Sequence, residues 1–279
     1  MNKILAGLFL SLVLLSGNSC STGSDPEPEV LDVFTVPAQI AIQIHNIVND
    51  LAMEVNGIAM HNLNFEEDTI KVNVSDCLDA LVYRDASTSV LDSIVLDYGT
   101  TSCVSNGASF QGKIVVDPKN EALSKFDIRL RDFSSSSYDI TGTIEFESTT
   151  IVSGSDFLLD VKNANFSILG SDEITYIFPI SSVINEYTLI ENDDNTTYTD
   201  DIFEFTSTLS GGTPDGMFFN LESVDVLTYD YSCKNINGGD ADFSIVDLGD
   251  GTIDYGDPDS DCDTNATLRV SGKNITIAL

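Results

Sequence analysis

Four landmarks occur twice in this chain, in the same order and at nearly the same spacing, and no other feature restricts its folding as much. Cys77 is followed after 20 residues by Asp97-Tyr98-Gly99, then by Cys103, then by Gly112-Lys113-Ile114-Val115-Val116. Cys233 is followed after 21 residues by Asp254-Tyr255-Gly256, then by Cys262, then by Gly272-Lys273-Asn274-Ile275-Thr276-Ile277. Four cysteines permit three pairings. The repeat favours Cys77–Cys103 and Cys233–Cys262, one bridge in each copy. In the chain-entropy account a bridge closing a loop of this size contributes roughly 3–4 kcal/mol, less any strain in the folded state. Bridges rather than free thiols require an oxidising compartment.

The N-terminal residues point to such a compartment. Lys3 precedes the apolar run of residues 4–10 and then Leu12-Val13-Leu14-Leu15, with the small residues Ser16, Gly17 and Ser19 ahead of Cys20. One basic residue, an apolar stretch too short to cross a bilayer comfortably and small residues before a cut describe a secretory signal peptide over residues 1–19. Ser16-Gly17-Asn18-Ser19-Cys20 resembles a bacterial lipobox, with Gly17 where a leucine is usual, and the resemblance implies lipidation of Cys20. Residues 21–29 are small, polar and acidic, with no apolar anchor. Such a stretch cannot bury enough surface to fold, so residues 20–33 are expected to act as a flexible acidic tether. The acidic run after Cys20 also resembles the surface-export signal of Bacteroidetes lipoproteins, which implies an outer-membrane location facing the cell surface.

Without residues 1–19 the chain holds 11 basic and 45 acidic residues, a formal charge of −34. Phosphate contacts need basic patches, so a nucleic-acid partner is excluded. Flat docking on an anionic membrane is opposed by the same charge. It suits plain solubility at a cell surface, or a cation-rich ligand or bound calcium. The 260 residues that remain can form one large β domain or two smaller ones. Tryptophan is absent, which disfavours sugar binding through indole faces.

Apolar residues recur at Val36, Ile40, Ile44, Ile47, Leu51, Val55 and Ile58, in the steps of three and four that mark one face of a helix. The spacing predicts an amphipathic helix over residues 36–60, with Pro37 in its first turn and Gly57 weakening its last. Its other face carries Gln43, Asn46, Asn49, Asp50 and Glu54, so the helix is expected to cover a sheet with that face in water. Beyond it the period changes to two. Residues 69–74, 93–97, 113–116, 125–130, 138–146, 165–168, 201–206, 224–227, 267–270 and 274–277 read as strands. Clusters of Gly, Asn, Asp and Ser separate them, as in residues 210–216 and 235–239. Short strands joined by hairpin-like turns indicate a mainly β protein of antiparallel sheets, sandwich-like or a meander, with an internal two-fold repeat. The organisation expected is a helix plus first β repeat over residues 34–155 and a second β repeat over residues 156–279.

Ile94-Val95-Leu96-Asp97-Tyr98-Gly99, Cys103 and Gly112-Lys113-Ile114, together with their second copies, resemble blocks in a group of uncharacterised Bacteroidetes surface lipoproteins. The resemblance covers most of residues 70–150 and 225–279. It implies an architecture and a location, and brings no activity with it.

Chemistry is sparse. His45 and His61 stand 16 residues apart, and neither has a flanking acid–nucleophile pattern. No serine-nucleophile elbow, zinc helix, phosphate loop or dinucleotide glycine fingerprint occurs. Calcium has a specific candidate: Asp257, Asp259, Asp261 and Asp263 alternate, as hard oxygen ligands would if each reached inward from a loop. An EF-hand needs glycine at its sixth position and glutamate at its twelfth, and from Asp257 these are Cys262 and Leu268. A site of another kind could draw on Asp247 and Asp250. The acidic stretch at residues 191–201 has no ligand periodicity and reads as a solvated hairpin tip.

The expectation is therefore a lipid-anchored cell-envelope protein of binding or structural type, without a recognisable catalytic site or required cofactor. It would meet the membrane through its lipid anchor, and an envelope protein or glycan as partner. The alternatives are a calcium-stabilised adhesion or glycan-binding module and a secreted hydrolase using paired carboxylates.

Overall fold

The computed structural model describes residues 28–60, 69–73, 77–85, 87–88, 90–105, 108–119, 125–135, 138–148, 157–169, 173–191, 201–258, 262 and 264–279. Among the described residues one helix, α1 (Pro28–Met60), precedes sixteen strands. The first eight are β1 (Thr69–Asn73), β2 (Asp79–Arg84), β3 (Leu91–Ser105), β4 (Ala108–Pro118), β5 (Lys125–Ser135), β6 (Tyr138–Ser148), β7 (Phe157–Leu169) and β8 (Thr175–Glu191). The others are β9 (Ile202–Gly212), β10 (Phe218–Ser223), β11 (Leu227–Asp230), β12 (Asn235–Gly238), β13 (Asp240–Ile245), β14 (Gly249–Asp254), β15 (Asn265–Val270) and β16 (Lys273–Ala278).

The chain forms one antiparallel open sheet in which neighbours in sequence are neighbours in space from β1 to β10. The sheet forks at β9, whose residues 208–212 pair with β10 and whose residues 202–205 pair with β11. The β11–β12 hairpin leaves the path there, while β10 continues through β13, β14 and β15 to β16. The position 155/156 lies outside the described residues, in the connection between β6 and β7, which are hydrogen-bonded neighbours.

Period-two alternation decides which face is inward. In β5, Phe126 and Ile128 are buried and Lys125 and Arg129 exposed. The order reverses after Arg131-Asp132, so that Phe133 and Ser135 point in. Asp132 sits in the left-handed region and the β4–β5 and β5–β6 registers both shift at that level. The matching position of β4 is Gly112, where an added Cβ would lie 2.1 Å from the Asp132 carbonyl oxygen. Glycine lets the two backbones close together there, and the bulge bends the strands.

The helix departs from expectation in three ways. It begins at Pro28, so the second half of the predicted tether is helical and Pro37 lies inside the helix. Phe34 explains the early start: it is buried, and its ring packs against Gly249. The face expected in water is covered in part: Gln43, Asn46 and Asp50 are half-buried. From Ala38 to Asp50 no residue is exposed, and Asn49 is completely buried. At about 100° per residue the buried positions wrap roughly two-thirds of the helix circumference. The sheet has enough strands to enclose α1, whose contacts reach β9, β12, β15 and β16. One hydrophobic core results, running from Phe34 to Ile277.

Candidate functional site

Both predicted bridges are present, Cys77–Cys103 and Cys233–Cys262, with Cα separations of 5.6 and 5.3 Å. The first ties Cys77, ahead of β2, to Cys103 near the end of β3, and the second ties Cys233 in the β11–β12 turn to Cys262 in the β14–β15 connection. In the first copy Asp97 Oδ1 accepts a hydrogen bond from the Gly99 amide at 3.0 Å, and in the second Asp254 Oδ1 accepts one from Gly256 at 2.9 Å. Both glycines have positive φ, 79° and 98°, which a side chain would strain. Both tyrosines are buried. The remaining carboxylate oxygen of each aspartate meets a cation, Lys113 at 2.7 Å in the first copy and Arg269 in the second.

A further correspondence was not read from the sequence. Asp97 pairs across strands with Asp79, and Asp254 with Asp240. Directly opposed carboxylates repel, and the neighbouring cation offsets this. Burial and the nearby Asp254 raise the Asp240 carboxyl above its ordinary range, with Arg269 partly opposing the shift. The shared dipeptide Asp-Ala, at residues 79–80 and 240–241, was the available signal.

The fourth landmark does not superpose. Gly112-Lys113 lies in β4, directly across from Asp97, whereas Gly272-Lys273 forms the β15–β16 turn and the start of β16. The role of Lys113 passes to Arg269 on β15, two inter-strand pairs removed from Asp254.

What each tyrosine touches differs. Tyr98 packs with Phe110 and Phe133, ring centroids 5.1 and 6.2 Å away. Tyr255 turns its hydroxyl toward His45 Nδ1 on the helix, 3.5 Å away. His45 Nε2 lies 2.6 Å from Ser207 Oγ, and Ser207 donates its hydroxyl proton to Asn185 Oδ1 at 2.5 Å. A serine hydroxyl has one proton, so His45 must donate through Nε2, leaving Nδ1 as acceptor for Tyr255. Asn185 donates to Asn49 Oδ1 at 3.0 Å and to the Tyr187 hydroxyl at 2.8 Å, and Tyr187 donates to Asn49 Oδ1. Tyr229 donates to Asp50, and the Ile236 amide donates to Asn46 at 3.3 Å. Asn185 and Ser207 are a direct cross-strand pair in β8–β9.

This chain of polar groups fixes the helix in its groove. Burial lowers the His45 pKa to about 3, so the ring is neutral across the physiological range. Burial likewise raises the hydroxyls of Tyr187, Tyr229 and Tyr255. His45, Asn49, Asn185 and Ser207 are all buried, which suits them to orientation rather than to proton exchange with a substrate.

The calcium candidate is only partly in view. Asp257 is exposed, Cys262 is exposed and bridged, and Asp259, Asp261 and Asp263 lie outside the described residues. Pro258 rests on Gly238, which tacks the loop to β12. Asp247 and Asp250 stand at the opposite end of the β13–β14 hairpin, removed from Asp257 by the length of β14, about 17 Å. They cannot join it in one ion site. No group of three or more metal-ligating side chains occurs among the described residues. Cys20 and His61 also lie outside them.

Surface hollows of about 560 Å³ occur among the described residues. One runs along the first bulge and is lined by Asp97, Gln111, Lys113, Arg131 and Asp132. Another, apolar, opens beside the first turns of the helix between Val33, Val36, Tyr176, Pro214 and Met217.

No protein-family model matches the chain. No curated protein matches it. No solved structure matches it.

Proposed function

We propose that this protein is a lipid-anchored component of the cell envelope, of binding or structural type and without catalysis, held to the outer membrane through Cys20. The observation that carries the reading is the lipobox-like stretch ending at Cys20, eight residues before Pro28, the first residue of the helix that the sheet encloses. An anchor so placed transmits load to the most deeply buried element of the fold rather than to a peripheral strand. Two disulfides cross-link the sheet, one near the end of β3 and one between two of its connections. Enclosure of His45 and its lowered pKa support a role other than general-base chemistry, because a base must reach its substrate and exchange protons near neutral pH.

Metabolic labelling with a fatty-acid analogue tests the anchor. Label is expected on the wild-type chain and absent from Cys20→Ala, which should appear in the soluble fraction. Continued labelling of Cys20→Ala would overturn the reading.

A further inference from the structure

The end of the sheet from which the helix starts carries apolar side chains on both of its faces. On the inner side Val36 is 57% exposed, and with Tyr176, Pro214 and Met217 it lines the apolar hollow. On the outer side Phe218 is 59% exposed at the start of β10. Phe218 and Pro179 flank Gly212 on one face, close enough to touch a Cβ placed there. Val246 donates its amide to the Phe218 carbonyl at 2.9 Å, and Val246, Leu248 and Ile177 are exposed as well. The strand pattern explains the outward set: Phe219 and Ile245 are buried partners, so Phe218 and Val246 must face out. At the opposite end the exposed apolar residues include Val90 ahead of β3, Ile190 near the end of β8, and Val224 and Val226 in the β10–β11 connection.

A protein partner docking on one face would call for apolar residues on that face. A tip with exposed apolar residues on both of its faces fits insertion into a layer. Cys20 precedes Pro28 by eight positions, so a lipid anchor on it would be tethered within at most about 28 Å of the start of the helix. The helix, about 50 Å long, then carries the chain away from it. Glu173, Asp215, Asp247 and Asp250 are exposed around the same tip, which holds it at headgroup depth and sets it against anionic lipid. We propose that this apolar rim seats in the headgroup layer of a zwitterionic lipid surface, orienting the domain on end beneath its lipid anchor. The proposal rests on the anchoring of Cys20.

The chain contains no tryptophan, so a single substitution creates a unique fluorescent reporter. The experiment uses the acylated full chain in phosphatidylcholine vesicles, with and without brominated acyl chains as quencher. Phe218→Trp and Val36→Trp should lose at least twofold in emission with brominated lipid, and Val226→Trp at the far end should not change. Adding phosphatidylglycerol should reduce the quenching. In a Val36→Trp chain that also carries Phe218→Asp and Val246→Asp, quenching should disappear while acylation persists. Acylated protein whose rim reporters are unquenched would overturn the seating while leaving the anchor intact. Equal quenching of Val226→Trp would overturn it in favour of a domain lying on its side. Concentration-dependent shielding without quenching would overturn it in favour of a second copy as occupant. Absence of acyl chain at Cys20 by mass would remove the anchor and the seating together.

Discussion

The two Asp-Tyr-Gly turns are built alike and used differently. Each has an aspartate accepting from a glycine amide, a buried tyrosine, an opposed second aspartate, a cation and a disulfide. The first buries its tyrosine in an aromatic cluster of the sheet, with Phe110 and Phe133 stacked on each other at 5.9 Å. The second presents its tyrosine to His45 and, through Ser207 and Asn185, to Asn49. A local scaffold fixed by backbone and staple leaves the inward tyrosine free to serve whatever lies beneath it. Under the first copy that is more sheet, and under the second it is the helix.

The difference should be visible first in acid. His45 takes up a proton near pH 6.5 in the unfolded chain and only near pH 3 in the folded one, so the unfolded state binds more protons between those values. Stability present above pH 6.5 is therefore lost as the pH falls toward 3, by on the order of 5 kcal/mol for the whole shift. Urea unfolding at pH 7 and pH 4 measures it, and His45→Gln should remove most of the pH dependence that exceeds ordinary carboxylate titration. Phe133→Ala in the first copy should instead lose about 3–5 kcal/mol by cavity formation, equally at both pH values. Equal pH sensitivity of the two variants would break the distinction.

Next come the staples. Cys77→Ser with Cys103→Ser, and Cys233→Ser with Cys262→Ser, should each cost about 3 kcal/mol in non-reducing denaturation, since the loops span 26 and 29 residues. Near-equality is the expectation, because the bridges belong to the shared scaffold. A much larger loss in the second pair would show that its bridge also supports the helix socket. Mass mapping of a Cys103–Cys233 peptide would contradict both bridges.

How far these features could be read beforehand follows from their range in sequence. The cysteine pairing and the Asp-Tyr-Gly turns are local, lie within 30 residues and occur twice, so comparing the chain with itself exposes them. The environment of α1 is not local. Asn46, Asn49 and Asp50 sit three and four residues apart, as a solvent face does, and only partners 136 to 190 residues away turn them into anchors, Asn49 buried and the other two half-buried. Nothing in residues 36–60 announces that a sixteen-stranded meander will supply those partners. Gly272-Lys273 misled for a related reason. Glycine is used at a bulge in Gly112 and at a turn in Gly272, and a dipeptide does not separate the two.

The ion pairs should matter less. Lys113 and Arg269 are about half exposed, and exposed pairs contribute up to about 1 kcal/mol. Arg269 also approaches Asp240, 3.9 Å away, so Arg269→Ala leaves two neighbouring carboxylates uncompensated. We expect Arg269→Ala to lose more than Lys113→Ala, with the gap closing in 1 M salt as the repulsion is screened. Thermal melts at low and high salt decide this.

The smallest effect concerns the residues that distinguish the second copy in sequence. Asp257, Asp259 and Asp261 are inserted between Gly256 and Cys262, in a span two residues longer than that from Gly99 to Cys103. Pro258 packs against Gly238 and Cys262 is bridged to Cys233, so both described points of the loop are held by protein contacts. Millimolar calcium should then move the melting temperature by less than about 1 °C, because a ligand stabilises only in proportion to its occupancy of the folded state. Chelator should have as little effect. A rise of several degrees, abolished by Asp257→Asn with Asp259→Asn and unaffected by Asp97→Asn, would make the insertion a calcium site and the second copy a functional specialisation of the first. Without such a rise, the extra acids add charge to a stapled turn, and the two copies differ in what lies beneath them rather than in what they bind.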